Sequence, residues 1–194
     1  GPIKLGRYRE FWQCDVDVVG TRNMLADAEL IKLSLEVFQK LKLNASMEIN
    51  NRKLLESLMK NAGVKKEKLQ DTIIIIDKLQ KLGLKGVKEE LSKILDEKTL
   101  EEITKILKIE GTAQQIFDQL EPLIKGADGR EGIEELKKLF SYFNKKQKEN
   151  IKLNLSLARG FGYYTGTIFE GFLNDSQVTS SICGGGRYDR MIGN

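Results

Sequence analysis

Histidine is missing from this chain of 194 residues. The imidazole group is the usual general base near neutral pH and the commonest metal ligand in proteins. We therefore predict no metal site, and we expect any catalysis by this chain to act through electrostatic stabilisation of charge.

Cysteine is almost as scarce. The two cysteines, Cys14 and Cys183, lie far apart in the sequence and show no paired spacing. This arrangement argues against a disulfide framework and against a zinc cluster. We predict two reduced, buried thiols.

Long apolar runs are absent as well. The longest, Ile73–Ile76, is far shorter than the roughly 20 residues that cross a bilayer. The first residues run into charged side chains without an apolar stretch, so we expect no signal peptide and no membrane partner, and we predict a cytoplasmic protein. Apolar residues make up 40% of the chain, which is enough for one large domain or a small domain with an insertion.

Positive charge is in slight excess, and the excess is local. Residues 52–152 contain 22 Lys and Arg against 18 Asp and Glu, whereas the remainder holds 10 of each kind. Such a segment suits contact with a nucleic acid, although lysine-rich helices also form ordinary solvated faces. Four lysines are candidates for phosphate contacts: Lys145, Lys146, Lys148 and Lys152.

The sequence divides into three parts: residues 1–51, 52–152 and 153–194. The two outer parts have the alternating patterns and clustered glycines of strands, together with a helical stretch at 24–43, and the middle part has apolar residues at helical spacing. We predict an α+β fold. The two ends should meet as a partial antiparallel sheet, packed with the 24–43 helix and carrying an all-helical insertion.

We expect five or six helices in the insertion, which should be the more autonomous folding unit. The β-branched run at 72–76 has helical flanks, which favour helix over strand. Thr99 followed by Glu102 indicates a capping box. Four glycines lie where helices would end: Gly63, Gly83, Gly111 and Gly126.

Residues 6–20 alternate in the manner of a strand with two unlike faces. The face that we expect in the core consists of Tyr8, Glu10, Trp12, Cys14, Val16 and Val18. The opposite face is a polar strip of Arg7, Arg9, Phe11, Gln13, Asp15 and Asp17. Guanidiniums suit phosphate oxygens, a phenyl ring stacks on a base, and an amide with carboxylates suits an ammonium or imidazole N–H. The strip thus fits a nucleotide at one end and an amino acid at the other; the alternative is an exposed face with ion pairs.

A second group of candidates begins at Arg159, which follows an apolar strand pattern. A fixed arginine at a strand end would stabilise negative charge on a phosphate, and the alternative is a surface ion pair. Tyr163 and Tyr164 follow it. On a strand these rings would face opposite ways, so that one is core while the other presents its hydroxyl to a ligand.

Three consecutive glycines, Gly184–Gly186, would let a ligand or another stretch of chain pack directly on the main chain. Arg187 with Asp189 could lock the turn that follows. The segment lacks the Lys and Ser or Thr of a P-loop and the spacing of a dinucleotide fingerprint.

Three segments together resemble the histidyl-tRNA synthetase family. GRYREFWQCDVDVVG, at 6–20, is similar to the second half of class II motif 2. LARGFGYYTGTIFE, at 157–170, and SSICGGGRYDRMIG, at 180–193, are similar to the two histidine-specific motifs. The order resembles the eukaryotic and archaeal form, in which NNRKLLESLMKNAGV, at 50–64, opens a helical insertion, and the likeness covers about the whole chain.

The resemblance implies a partial class II synthetase sheet and a pocket for histidine. Gln13 would bind the α-amino group of the amino acid, and Tyr164 with Asp17 would read its imidazole, beside Tyr163. The floor of the pocket would be formed by Gly184, Gly185 and Gly186.

The resemblance also implies an ATP site. Arg159 would be the catalytic cation on the α-phosphate and would border the histidine. Phe11 would stack on adenine, while Arg7 and Arg9 would approach ATP and the tRNA acceptor end. Histidine would attack ATP through its carboxylate to give histidyl-adenylate and pyrophosphate, and the histidyl group would pass to the tRNA, with no side-chain base in the first step.

The partners implied are histidine, ATP with Mg²⁺ as a substrate, and tRNA, with no tightly bound cofactor and a homodimeric parent enzyme. Phe161 and Gly162 stand where the family usually has Leu-Asp. Motif 1, the first strand of motif 2, motif 3 and the anticodon-binding domain have no counterpart. We therefore expect an internal fragment that is inactive by itself.

Two other functions are compatible with the sequence. One is a non-catalytic relative, either the regulatory subunit of ATP phosphoribosyltransferase or the synthetase-like sensor region of a protein kinase. Retention of Gln13, Arg159 and Tyr164 argues against it, whereas Gly162 keeps it open. The other is a helical module in which residues 52–152 bind a tRNA acceptor stem and salt weakens the binding.

Overall fold

The computed structural model of the chain describes residues 5, 8–159 and 162–191. Its α-helices are α1 (Met24–Lys40), α2 (Arg52–Asn61), α3 (Lys66–Ile76), α4 (Leu79–Ser92), α5 (Glu97–Leu107), α6 (Ala113–Leu120), α7 (Ala127–Ser141) and α8 (Lys145–Lys148). The strands are β1 (Ala45–Asn51), β2 (Ile151–Leu153), β3 (Thr167–Leu173) and β4 (Cys183–Gly186). The α+β class is confirmed.

The four strands form one sheet in the order β2-β1-β3-β4. β1 pairs antiparallel with β3 from Ala45↔Leu173 to Asn51↔Thr167, and β3 pairs antiparallel with β4. The predicted meeting of the two ends is therefore confirmed. β1 and β2, however, are parallel, where we expected an antiparallel sheet. Parallel neighbours need a long crossover, and the helices between β1 and β2 provide it.

The predicted strand at 6–20 is wrong for the residues described there. Residues 8–19 contain no strand and are exposed, and Trp12 is 101% exposed. A strand needs a neighbour for its N–H and C=O groups, and no strand of the described chain pairs with this segment, which leaves its backbone to water. The expected core face, with Tyr8, Glu10, Val16 and Val18, is therefore exposed. Cys14 is exposed too, so its predicted burial is wrong.

The core lies between one face of the sheet and the helices. Its fully buried side chains come from the sheet and from the insertion alike, in one continuous cluster: Ile31, Met47, Ile49, Leu54, Leu55, Leu58, Met59, Ile73, Ile76, Leu91, Ile103 and Leu120. Burying each such side chain stabilises the fold by about 1.5–3 kcal/mol. Because the cluster joins both parts, separate folding of the insertion stays a prediction, as do the domain limits at 51/52 and 152/153.

The insertion contains seven α-helices, α2 to α8, in the described chain rather than five or six. The run at 72–76 lies in α3, as predicted. The capping box at Thr99 is wrong: α5 begins earlier, and the side chain of Asp96 accepts the backbone N–H of Thr99 at 2.9 Å. The capping boxes found are Thr112 with Gln115 and Asn144 with Gln147.

Of the four glycines expected at helix ends, Gly63 follows Ala62, the C-cap residue of α2, with φ 107°. Gly83 instead lies within α4 and kinks it, with φ 67° and ψ 169°. Gly111 and Gly126 precede α6 and α7. All four glycines have a positive φ, which glycine adopts without strain and which interrupts a helix. A glycine of this kind can therefore lie before a helix, after it or at a kink within it.

In the part of the chain that the structure describes, every helix is too short or too polar to cross a membrane.

Close packing of α2 on α7 predicts a cost for Gly132→Ala. A Cβ there would lie 2.6 Å from the backbone nitrogen of Leu54, which cannot rotate away. Overpacking costs about 1–3 kcal/mol and the gain in helix propensity is about 1 kcal/mol, so we expect a lower free energy of unfolding by urea denaturation. Gly86→Ala is the control, since its Cβ would meet only the side chain of the exposed Leu82. Equal stability of the two variants would contradict the packing.

Candidate functional site

The glycine strand β4 is covered directly by side chains of the segment that precedes and forms β3. A Cβ at residue 184 would overlap the guanidinium of Arg159, one at 185 would lie 2.7 Å from the ring of Phe169, and one at 186 would lie 2.6 Å from the ring of Tyr164. The glycines thus allow the close packing on the main chain that the sequence predicted. In this structure side chains of the same chain pack there, on both faces of β4.

Arg159 is the only described arginine held against the floor of glycines in this way. Its Nη1 lies 3.4 Å from Oε1 of Glu170 and donates to the carbonyl oxygen of Phe169 at 3.4 Å. Its guanidinium carbon lies 5.6 Å from the ring centroid of Tyr164, within cation–π range. The side chain is only 16% exposed, so its ion pair is mostly buried. Its Nε is buried with no hydrogen-bond partner among the described residues.

Glu170 places a carboxylate beside this arginine, and the sequence analysis missed it. Burial raises the pKa of Glu170, and the positive charge of Arg159 opposes the rise. In the sheet, Glu170 lies between Gly184 on β4 and Glu48 on β1. Amide groups of Gln80 and Asn154 donate to Glu48 at 2.8 and 2.6 Å.

A small polar cavity of about 70 Å³ lies next to these carboxylates, between the sheet and the junction of α3 with α4. It is lined by Asp77, Gln80, Asn154, Ser156, Glu170 and Phe172, among others. In the described residues no group of three or more His, Cys, Asp or Glu is placed to hold a metal ion.

Tyr163 and Tyr164 lie in the loop before β3, with ring centroids 4.5 Å apart. Tyr164 is buried at 8% exposure, whereas Tyr163 is 40% exposed. Burial first, and then a hydrogen bond with Tyr163, raises the pKa of Tyr164 to about 12. One tyrosine is buried and the other is accessible, as predicted, although the two residues lie in a loop and not on a strand.

The N-terminal candidates divide into two groups. Asp17 accepts a hydrogen bond from the hydroxyl of Tyr188, just past β4, and this bond raises the pKa of Tyr188. Gln13 donates to Asp15 at 2.8 Å, and Phe11 is 72% exposed. Arg9 is exposed as well, and Arg7 lies outside the described residues.

Arg187, directly after β4, forms two ion pairs next to the glycine strand. As predicted, Arg187 pairs with Asp189, at 2.9 Å. It also forms a buried pair at 2.9 Å with Asp27 of α1, which the sequence analysis missed. Burial raises the pKa of Asp27 while the charge of Arg187 opposes the rise. The available signal was a carboxylate on the apolar face of α1, beside Met24 and Ala28.

The four candidate lysines lie at the C-terminal end of the insertion in the sequence. Lys145, Lys146 and Lys148 occupy the single turn of α8, and Lys152 is on β2; all four are exposed. Exposure is compatible with phosphate contacts and with a solvated face, so their role stays a prediction.

The two segments that resemble histidine-specific motifs contact each other. Arg159 and Tyr164 of one segment pack on Gly184 and Gly186 of the other. The family model described as histidyl-tRNA synthetase matches residues 2–194. The chain belongs to the histidyl-tRNA synthetase family. This bears out the resemblance of the three segments.

Curated relatives include bacterial histidine–tRNA ligases. Histidine–tRNA ligase 1 of Bacillus cereus strain ZK / E33L is 38% identical over 196 residues, covering 100% of this chain and 45% of the relative. Histidine–tRNA ligase of Finegoldia magna is 40% identical, covering 97% of this chain and 45% of the relative. The chain thus spans less than half the length of these relatives.

A solved histidyl-tRNA synthetase from Nostoc sp. PCC 7120 superposes with a TM-score of 0.81 at 28% identity, covering 88% of this chain and 42% of that one. A Bacillus halodurans structure described as an ATP phosphoribosyltransferase regulatory subunit/histidyl-tRNA synthetase gives a TM-score of 0.74 at 22% identity, covering 88% of this chain and 44% of that one. The second likeness is one of fold alone.

Gly184→Ala should move Arg159 while leaving the fold intact. Its Cβ would displace the flexible end of the Arg159 side chain and would lie 3.2 Å from Cγ of Glu170, without meeting backbone. We therefore expect the free energy of unfolding to change by about 1 kcal/mol or less, while the Nε resonance of Arg159 shifts in NMR spectra. Gly186→Ala is the contrast, because its Cβ would lie 2.8 Å from the carbonyl oxygen of Thr167 and should cost about 1–3 kcal/mol. An unmoved Arg159 in Gly184→Ala would refute the described contact.

The raised pKa of Tyr164 predicts that the free energy of unfolding falls at alkaline pH. Its pKa is raised from the ordinary 10.0 to about 12, so its contribution is fully present below pH 10 and is lost as the pH rises through about 12. The difference in unfolding free energy between the wild type and Tyr164→Phe should change across this window. Tyr142→Phe controls for loss of a tyrosine hydroxyl elsewhere. Parallel curves for wild type and Tyr164→Phe would contradict the raised pKa.

Proposed function

We propose that this chain supplies the histidine-binding surface and part of the ATP-binding surface of a histidine–tRNA ligase. The observation that carries the proposal is the position of Arg159, whose guanidinium lies on the glycine floor of β4 beside Tyr164 and Glu170. A mostly buried cation whose Nε has no partner among the described residues is suited to meet an anionic ligand, since a low-dielectric surrounding strengthens its field.

In the proposed reaction the carboxylate oxygen of histidine attacks the α-phosphorus of ATP, which arrives with Mg²⁺ as a substrate. The bond to pyrophosphate breaks, and pyrophosphate leaves with the electron pair. Arg159 stabilises the negative charge that collects on the α-phosphate oxygens. The attacking carboxylate is already ionised, so this step needs no side-chain base, which is compatible with a chain that contains no histidine.

The histidine pocket would be built around the packed tyrosines. Tyr164 and Asp17 would recognise the imidazole, with Tyr163 at the pocket edge and Gly184 and Gly185 beneath. The pair between Asp17 and Tyr188 supports this placement, because it holds the N-terminal segment against the end of β4. Gln13 would bind the α-amino group after the exposed segment closes over the ligand.

ATP would be bound through Arg7, Arg9 and Phe11 of the N-terminal segment. The terminal ribose of tRNA would receive the histidyl group, and the lysines of α8 with Lys152 would contact the acceptor stem. The parent enzyme would be a cytoplasmic homodimer. With less than half the length of its relatives, the chain by itself is expected to be inactive.

A regulatory relative without catalysis is the alternative, suggested by Gly162. It would have no need for a desolvated cation in the pocket, so the burial of Arg159 favours the ligase. Binding of histidine alone does not separate the two, but adenylate formation in the full-length protein does.

Calorimetric titration with histidine, and separately with ATP, tests the proposal at one fixed, moderate salt concentration. We expect histidine to bind the chain, with at least a tenfold loss of affinity in Tyr164→Phe and in Gln13→Ala, because each removes a hydrogen bond to a charged or polar ligand group. Tyr142→Phe, at the end of α7, is the control. If both site variants bind as the wild type does, or if the full-length protein binds no histidine, the assigned pocket is wrong.

A further inference from the structure

The backbone conformation of Arg159 is unusual for a residue with a long side chain. Its φ is 45°, in the left-handed region that long side chains rarely adopt. Only one other described residue besides glycine, Lys42, has a positive φ. Such a conformation costs of the order of the energy of one hydrogen bond, so it persists where neighbouring contacts hold it.

The contact that holds it comes from the insertion. The backbone N–H groups of Ala158 and Arg159 both donate to Oδ1 of Asp77, at 3.1 and 2.9 Å. A carboxylate that accepts two adjacent N–H groups fixes the orientation of the peptide between them. Asp77 therefore sets the backbone from which the arginine side chain projects.

Asp77 is itself rigidly placed, although its side chain is exposed to solvent. It is the C-terminal cap of α3, and its N–H donates to the carbonyl oxygen of Ile73 at 3.0 Å. Ile73 and Ile76 are completely buried in the core. The carboxylate is thus anchored to packed helix and not to a loop.

The electrostatic surroundings agree with the geometry. Burial raises the pKa of Glu170, Arg159 lowers it, and the negative charge of Asp77 adds to the rise. Asp77 and Glu170 also line the same cavity of about 70 Å³. The two carboxylates therefore approach Arg159 from two sides, one at its backbone and one at its guanidinium.

We propose that Asp77 is a positioning residue for Arg159: a carboxylate at the end of insertion helix α3 holds the 158–159 backbone so that the guanidinium lies over the glycines of β4. The role in the reaction rests on the proposed function of Arg159, whereas the contact itself does not. The insertion would then take part in the ATP chemistry by setting the catalytic cation, in addition to any contact with tRNA.

The first test measures the contact in this chain, with no substrate. In Asp77→Ala we expect the amide of Arg159 to exchange hydrogen about tenfold faster, and the Arg159 Nε resonance to shift in NMR spectra. Asp77→Asn should keep most of the protection, because its amide oxygen still accepts both N–H groups. Asp71→Ala, on the exposed face of the same helix, is the matched control. Unchanged exchange and an unchanged resonance in Asp77→Ala would overturn the proposal.

The second test measures histidine-dependent ATP–pyrophosphate exchange in the full-length protein. Asp77→Ala should lower kcat about tenfold with little change in KM for histidine, and Asp77→Asn should restore most of the rate. In an Arg159→Ala background, Asp77→Ala should add no further loss, because a residue acting through Arg159 has nothing left to position. An additive loss, or a normal kcat in Asp77→Ala, would overturn the positioning role.

The two proposals fail in different ways. If Arg159→Ala exchanges pyrophosphate at the normal rate, the proposed function of Arg159 is wrong and the catalytic role of Asp77 falls with it. If Arg159→Ala is inactive while Asp77→Ala is normal in both measurements, only the inference about Asp77 is wrong.

Discussion

Seven residue pairs between β1 and β3, from Ala45↔Leu173 to Asn51↔Thr167, join two stretches of chain that are separated by the whole insertion. This ladder fixes where the insertion leaves the sheet and where the chain returns to it. Because side chains alternate between faces, it also decides that Ile49 and Phe169 point into the core while Glu48 and Glu170 share the opposite face. The position of Glu170 beside Glu48 depends on that register.

β4 adds to this ladder a strand in which three of the four residues, Gly184–Gly186, have no side chain. Glycine in a strand weakens it, since it gains no packing and loses more backbone entropy on folding than any other residue. In β4 the missing side chains leave room for Arg159 and Tyr164, which lie where Cβ atoms would be. Just after β4, the buried pair of Arg187 with Asp27 ties the chain to α1. A buried pair of this kind is specific in geometry even where its net stabilisation is small.

The insertion is more than an appendage of the sheet in this structure. Its helices share one apolar cluster with β1 and β3, and they serve as the crossover that makes β2 parallel to β1. Its α2 and α7 pack closely enough that Gly132 leaves no room for a methyl group. Asp77 then accepts a hydrogen bond from the backbone of Arg159, and Gln80 donates one to Glu48 of β1.

Much of this organisation could be predicted from the sequence by itself. Helical spacing indicated α1 and the helices between the strands, and the strand-like patterns of the two outer parts indicated that the ends of the chain form a sheet, because these periodicities follow directly from backbone geometry. The same kind of argument was wrong for 8–19, where alternation was present but no neighbouring strand satisfied the backbone. The glycines, Arg159 and Tyr164 were identified by residue type, since few other residues allow that approach or supply that charge.

Tertiary structure alone decided which of those residues meet. Asp27 and Asp77 lie far in sequence from the arginines that they contact. Tyr188 likewise lies far from its partner Asp17, so no window of neighbouring residues contains these contacts. Their positions follow from the strand register and the packing of α1 and α3 on a common core, which are long-range properties of the whole chain. The sequence thus determined the elements and the chemically capable residues, whereas the fold determined the distances, the burial and the partners that give those residues their charge environment.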